Sequence, residues 1–145
     1  MKIKSRRLFG LLLVSIMGGA LMSGCAEIRK VTYPPDFKYI EKTEVRSTMA
    51  QLASRIWEMD EILVDPEQAL LKRDRVVALL SEMESFAGTL DPQGRPTNHL
   101  LIDEHIGGFI DAVSLARTAV EMEPPSFYRA GQLSGNCMGC HIHRQ

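Results

Sequence analysis

The residues with the most distinctive chemistry in this sequence are Cys137, Cys140 and His141, which follow the spacing C-x-x-C-H near the C-terminus. On a helix, positions three and four residues apart lie on one side, so both thiols and the imidazole would project together. This spacing is typical of covalent attachment of a c-type haem. The two thiols form thioethers with the haem and the histidine binds the iron. The sequence therefore predicts one haem c on Cys137 and Cys140, with His141 as proximal iron ligand.

Two other chemistries use the same residue types. A redox-active dithiol of the form C-x-x-C usually opens a helix within a strand–helix–strand pattern, and no such pattern is visible in this sequence. A zinc site built from Cys137, Cys140, His141 and His143 would need four ligands within seven residues. That is cramped for a tetrahedral structural site. We therefore favour haem over both the dithiol and zinc.

The N-terminal region has the features of an export signal. Its basic residues are Lys2, Lys4, Arg6 and Arg7, and they precede a mostly apolar run from Leu8 to Met22 that is short for a membrane span. Ser23 and Gly24 then precede Cys25, which resembles the cleavage site of a bacterial lipoprotein, although Met22 stands where that pattern prefers Leu. We expect residues 1–24 to be a lipoprotein signal peptide and Cys25 to be diacylated. Residues 25–35 then form a tether to the membrane.

The predicted signal peptide indicates where the protein is located and gives Cys25 an expected role. The chain would lie on the periplasmic side of a bacterial membrane, anchored through the lipid on Cys25, and Ala26 in place of an aspartate favours the outer membrane. All three cysteines then attach haem or lipid, and none remains for a disulfide. The formal net charge of -1 gives no field that would attract nucleic acid.

Apolar residues spaced three and four apart predict four helices in one domain that covers residues 36–145. The predicted helices run from about Asp36 to Leu63, from Asp65 to Ala87, from a cap at Thr97 or Asn98 to Glu121, and from Ser126 to His141. Asp65 and Pro66 give the second helix a capped start. Short connections between four amphipathic helices predict an all-α fold, an antiparallel up-down-up-down four-helix bundle. Trp57 flanks the apolar stripe of the first helix, and we expect it to pack or to cover a contact between helices.

The predicted stripes also indicate which residues lie level with the iron. The first stripe contains Val45, Met49, Leu52, Ile56, Met59 and Leu63, and the second contains Leu70, Val76, Val77, Leu80, Met83 and Ala87. Counting along the bundle at about 1.5 Å per residue puts Met49, Met83 and His105 near the level of His141. His105 and His99 lie on opposite shoulders of the third helix. Periodicity alone leaves the far side of the haem open among Met49, a histidine and no ligand.

Four amphipathic helices with C-x-x-C-H close to the end of the last one resemble the class II cytochromes c, the group of cytochrome c′ and cytochrome c-556. The resemblance covers the predicted domain, and its specific part is the segment from Tyr128 to His141. It implies that the far face of the haem meets the first helix, where low-spin members have a methionine and cytochromes c′ a non-ligating apolar residue. It thus favours Met49 as sixth ligand, with His105 and His99 as rivals. The family's basic residue after the haem histidine has only an approximate counterpart in Arg144.

Two functions follow from this resemblance. The first is one-electron transport between redox proteins by an iron that is ligated on both faces. The second is binding of nitric oxide or carbon monoxide by a five-coordinate iron, which requires Met49 to be packing only. No acid–base pair or nucleophile is evident apart from the histidines near the motif, so we predict no enzymatic activity. The family also implies a homodimer through the first two helices.

Overall fold

The computed structural model describes Pro34 and residues 36–141, except the side chain of Cys140. The predicted signal peptide and the tether other than Pro34 lie outside the described residues, as do Cys25, His143 and Arg144. Within the described part, 75% of the residues are helical and no strand occurs, which confirms the all-α prediction.

The chain divides into two compact units, Met1–Tyr39 and Ile40–Gln145. In the first unit, the described residues form a turn in which the Phe37 N–H donates to the Pro34 carbonyl at 2.9 Å. The described helices of the second unit are α1 (Lys42–Leu63), α2 (Pro66–Leu71), α3 (Arg73–Leu90), α4 (Leu100–Glu121), α5 (Tyr128–Gly131) and α6 (Leu133–His141). In this part of the chain, no helix is both long enough and apolar enough to cross a bilayer.

α1 begins at Lys42 rather than at Asp36 because the residues just before it are held in another conformation. The Ile40 N–H donates to Asn98 Oδ1 at 2.8 Å, and Asn98 Nδ2 donates back to the Ile40 carbonyl at 3.0 Å. Ile40 is fully buried, and Glu41 has extended backbone angles. The Asn98 side chain, which we expected to cap a helix, therefore pairs with the backbone of Ile40 and fixes where α1 starts.

The second predicted helix is divided at Lys72 into α2 and α3. Its start is as predicted, because Asp65 precedes Pro66 and its carboxylate accepts the Glu67 N–H at 2.9 Å. The division leaves Arg73 free to reach a distant helix end. Its side chain donates to the carbonyls of Val120, Glu121 and Met122 at 2.8, 2.7 and 3.1 Å. Arg73 thus supplies donors to carbonyls at the end of α4 that have no partner within that helix.

One cluster of apolar side chains forms the core, with members from α1, α3, α4, α5 and α6. On α1, Met59 is fully buried as predicted, whereas Met49 is only partly buried and packs at the edge of the cluster. The expectation was wrong for Trp57, which is 75% exposed, and for Leu70, which is 58% exposed. Trp57 lies two residues from Met59 and so points about 160° away from it. Leu70 belongs to the separate helix α2 and does not follow the stripe of α3.

The helices differ in how much they contact one another. α3 packs most extensively against α4 and next against α1. Arg75 on α3 is paired with Glu58 on α1 at 2.6 Å, and Arg117 on α4 is paired with Glu84 on α3 at 3.1 Å. α4 also packs against α5 and α6, and α1 packs against α5. The helix that carries the C-x-x-C-H residues, α6, therefore has α4 as its main neighbour.

Candidate functional site

Cys137 and His141 lie on α6, which begins after a break in the helix at Gln132. Leu133 is 1% exposed and anchors the first turn of α6 in the core. Cys137, one turn later, is partly buried against the same core cluster, and its thiol lies 3.9 Å from the Leu133 carbonyl oxygen. His141 is exposed at the end of the helix, and the backbone of Cys140 is helical. The helical spacing expected for the motif is therefore present.

α4 leaves open space in its middle. Gly107 and Gly108 are exposed there, and a Cβ added at either position would meet no atom within 4 Å.

Two thiols and an imidazole on one side of a helix are the donor set that a c-type haem needs. The residues therefore fit a covalently held haem, in which Cys137 and Cys140 would form the thioethers and His141 would bind the iron.

Met49 lies on the flank of α1 that faces away from α3. The flank toward α3 is marked by Glu58, which accepts two hydrogen bonds from Arg75 at 2.6 and 2.8 Å. Met49 precedes Glu58 by nine residues, and at about 100° per residue this turns its side chain through about 180°. α5, which leads into α6, also packs on α1. Met49 therefore lies on the flank of α1 opposite its charge pair with α3.

Met83 has a different environment. It is fully buried within the core cluster, together with Leu79, Leu80 and Ala87 of the same helix. A methionine that is covered on every side by apolar groups fills space. Although the sequence count puts Met83 near the level of the iron, its burial is that of a packing residue.

The two histidines of the α4 region also differ in their surroundings. His99 precedes α4, and its Nε2 lies 3.0 Å from the Ile40 carbonyl oxygen and 3.2 Å from Asn98 Nδ2. Because a carbonyl only accepts, the tautomer with its proton on Nε2 donates to Ile40. His105 Nε2 lies 3.8 Å from Glu104 Oε2, and the His105 side chain is 35% exposed. The His99 ring is therefore held against the backbone of Ile40, whereas His105 lies half-buried beside Glu104.

A network of charges joins α1 to α3. Hydrogen bonds from the Arg75 guanidinium lower the pKa of Glu58. Arg55, whose Nε donates to Glu82 at 2.9 Å, lowers the pKa of that carboxyl, and Arg75 adds to the effect. Opposite charges held at hydrogen-bond distance favour the ionised carboxylate. The network therefore marks the flank of α1 that lies beside α3.

The sequence contained no signal for this network, because Arg75 and Glu58 lie 17 residues apart on different helices. Among the residues that the structure describes, no group of three or more His, Cys, Asp and Glu side chains could hold a metal ion. Comparison of the chain with protein-family models, with curated proteins and with solved structures found no match.

Proposed function

We propose that the chain is a membrane-anchored c-type monohaem cytochrome that carries single electrons between redox proteins. One observation carries the proposal: the C-x-x-C-H residues lie on a helix, α6, whose Cys137 packs against the core. When bound, haem c supplies an iron that is oxidised and reduced by one electron. Cys137 and Cys140 hold it as thioethers, and His141 binds the iron on the proximal side.

We further propose that α1, α3, α4 and the pair α5–α6 form an antiparallel four-helix bundle. Support comes from bonds that join the start of one helix to the end of another. Arg73, at the start of α3, donates to carbonyls at the end of α4. Arg75 bonds to Glu58 in the second half of α1, whereas Asn98, beyond the end of α3, bonds to Ile40 just before α1. An antiparallel arrangement of α1 with α3, and of α3 with α4, explains these bonds.

In this bundle the side chains around the motif have separate tasks. Leu133 ties the first turn of α6 to the core. Met49 is the proposed sixth ligand, and its thioether sulfur raises the reduction potential relative to a second histidine. A site ligated on both faces moves few atoms during electron exchange, which suits a carrier.

The absorption spectrum of the reduced full-length protein, recorded before and after addition of carbon monoxide, tests this function. An electron carrier with both axial positions occupied keeps its low-spin bands unchanged. Ready uptake of carbon monoxide would contradict the carrier and would support a five-coordinate binder of nitric oxide or carbon monoxide, with Met49 as packing only.

The membrane anchor belongs to the same proposal. Cys25 carries the lipid after removal of residues 1–24, and residues 25–35 connect it to the domain on the periplasmic side, with the outer membrane favoured by Ala26. Incorporation of a labelled fatty acid by the wild type and by Cys25→Ser, together with fractionation of the cells, tests it. The wild type should carry the label and follow the outer membrane, and the variant should carry no label. A wild type without the label would contradict the anchor.

We also propose a homodimer through the outer face of α1. Trp57 is 75% exposed and lines a shallow groove with Ala53, Ser54, Glu58 and Glu61. Two copies of α1 that cross in opposite directions near Ala53 bring Arg46 opposite Glu61 of the second copy. The same pairing sets the small Ala50 against Trp57 of the second copy. Complementary charge and size on one face favour self-association.

A further inference from the structure

The middle of α4 contains two adjacent glycines that packing does not explain. Glycine is unfavourable inside a helix because it costs backbone entropy on folding. Gly107 and Gly108 are both exposed, and a Cβ at either position would meet nothing within 4 Å. No close approach of a described side chain or backbone therefore requires a glycine at these positions.

The two glycines point to different flanks of α4. Arg117 marks the flank toward α3, because its Nε donates to Glu84 at 3.1 Å. Gly108 precedes Arg117 by nine residues and so points about 180° away from it. Gly107 precedes Arg117 by ten residues. Around the helix axis, Gly107 therefore points about 80° away from the direction of Arg117, which is the side toward α3. Since α5 and α6 are the other neighbours of α4, Gly108 lies toward the α6 flank and Gly107 does not.

Gly108 also lies at the level of the motif. The Ser126 N–H donates to the Ala119 carbonyl at 2.9 Å, so the chain after α4 starts back along it at this point. Cys137 follows Ser126 by eleven residues, and Gly108 precedes Ala119 by the same number. At a similar rise per residue in both segments, Cys137 and Gly108 lie opposite each other. Ala112, one turn from Gly108 on the same flank, is also a small residue.

We propose that Gly108 is a positioning residue for the haem, because its bare backbone lets the porphyrin rim lie against α4 beside Cys137. The inference rests on the proposed function. It adds Gly108, as a residue that lines the haem site, to the residues proposed to bind the haem. A larger side chain at this position would occupy the space that the rim needs and would hold the haem away from the thiols.

Gly108→Leu and Gly107→Leu form a matched pair for the test, because both add the same side chain to exposed neighbours in one helix. The full-length variants are produced with a cytochrome c maturation system, and covalent haem per polypeptide is measured by intact mass. Far-UV circular dichroism of each variant reports helix content. We expect Gly108→Leu to lose most of its covalent haem and Gly107→Leu to keep it, at equal helix content. Gly108→Ala, which adds one methyl group, should lose less haem than Gly108→Leu.

Each other outcome overturns the inference. Equal haem content in the two leucine variants, whether high or low, would show that position 108 has no special role. A loss of helix content confined to Gly108→Leu, with full haem on Gly108→Ala and on the remaining folded protein, would show a structural effect. A wild-type chain without covalent haem would refute the proposed function itself, whereas a loaded wild type with two equally loaded leucine variants refutes the role of Gly108 alone.

Discussion

Glu58 and Met49 point to opposite flanks of α1. Glu58 is held against α3 by two hydrogen bonds from Arg75, at 2.6 and 2.8 Å. Met49, nine residues earlier, therefore faces away from α3 and remains partly buried at the edge of the core. This relationship separates a structural flank of α1, which carries charge pairs, from a flank on which a thioether is available to the proposed haem.

Met49→Leu should remove the sixth ligand while keeping the packing. Leucine has nearly the volume of methionine, so we expect the fold to lose less than about 1.5 kcal/mol of stability. The reduced protein should change from low-spin to high-spin bands and should take up carbon monoxide. Met59→Leu, on the buried stripe of the same helix, is the control and should leave the spectrum unchanged. Identical spectra for wild type and Met49→Leu would remove Met49 as a ligand.

Arg75→Gln should lower stability at neutral pH but not in acid. Arg75 lowers the pKa of Glu58 below its ordinary value in the folded protein. A carboxyl with a depressed folded-state pKa adds stability above its unfolded pKa, and this contribution is lost as pH falls through the folded pKa. The urea midpoint of the variant should therefore lie below that of the wild type at pH 7, and the two midpoints should converge in acid.

Added salt gives a second check on this pair, because both side chains are close to solvent and their attraction is screened. The difference between wild type and Arg75→Gln at neutral pH should shrink in high salt. A difference that is independent of both pH and salt would show that Arg75 acts by packing rather than through its charge.

Arg73→Met should destabilise the fold by about 1–3 kcal/mol, since hydrogen bonds from a charged donor to the end of α4 would be lost. The methionine keeps much of the apolar stem, so the change reports on the guanidinium. Lys72→Met is the matched control at the neighbouring exposed position and should stay within about 0.5 kcal/mol of the wild type. Chemical unfolding measures both variants. Equal effects would show that the bonds from Arg73 to the carbonyls of Val120 and Glu121 contribute nothing measurable.

The proposed homodimer is tested by exchanging charges on the outer face of α1. Arg46→Glu alone and Glu61→Arg alone should weaken association in sedimentation equilibrium, because each sets like charges against each other. The double variant should associate as the wild type does. Trp57→Glu should also give monomers, whereas Leu115→Glu, at an exposed apolar residue of α4, should not. Failure of the double variant to restore association would exclude this pairing.

Local signals account for what could be predicted from the sequence. Asp65 and Pro66 mark a helix start because the cap and the following N–H groups are neighbours in the chain. The sequence pattern did not predict the division of the second helix at Lys72. The bonds that accompany this division run from Arg73 to the end of α4 and join residues 47 and 48 positions apart. The late start of α1 has a similar cause, since Asn98 and Ile40 are 58 positions apart.

The candidate site also has features with a local signal in the sequence and features that depend on contacts between helices. The spacing of Cys137, Cys140 and His141 is local and could be read directly. Which flank of α1 is directed away from α3 is seen only from contacts between the helices, such as the pair of Arg75 with Glu58. The periodicity of α1 contains no information about that pair. The apolar stripes of the first and second predicted helices identified Met49 and Met83 as residues near the level of the iron. They could not show that Met49 is partly buried whereas Met83 is fully buried.

Cys137 and Cys140 are proposed to carry a covalent haem, and the intact mass of the denatured protein tests this attachment most directly. The wild type, produced with a cytochrome c maturation system, should show the mass of the processed polypeptide with its lipid, increased by one haem, because thioether bonds survive denaturation. The double variant Cys137→Ser and Cys140→Ser should show the mass of the processed polypeptide with its lipid and without haem. A wild-type chain that loses all haem on denaturation, or never carries it, would contradict the account.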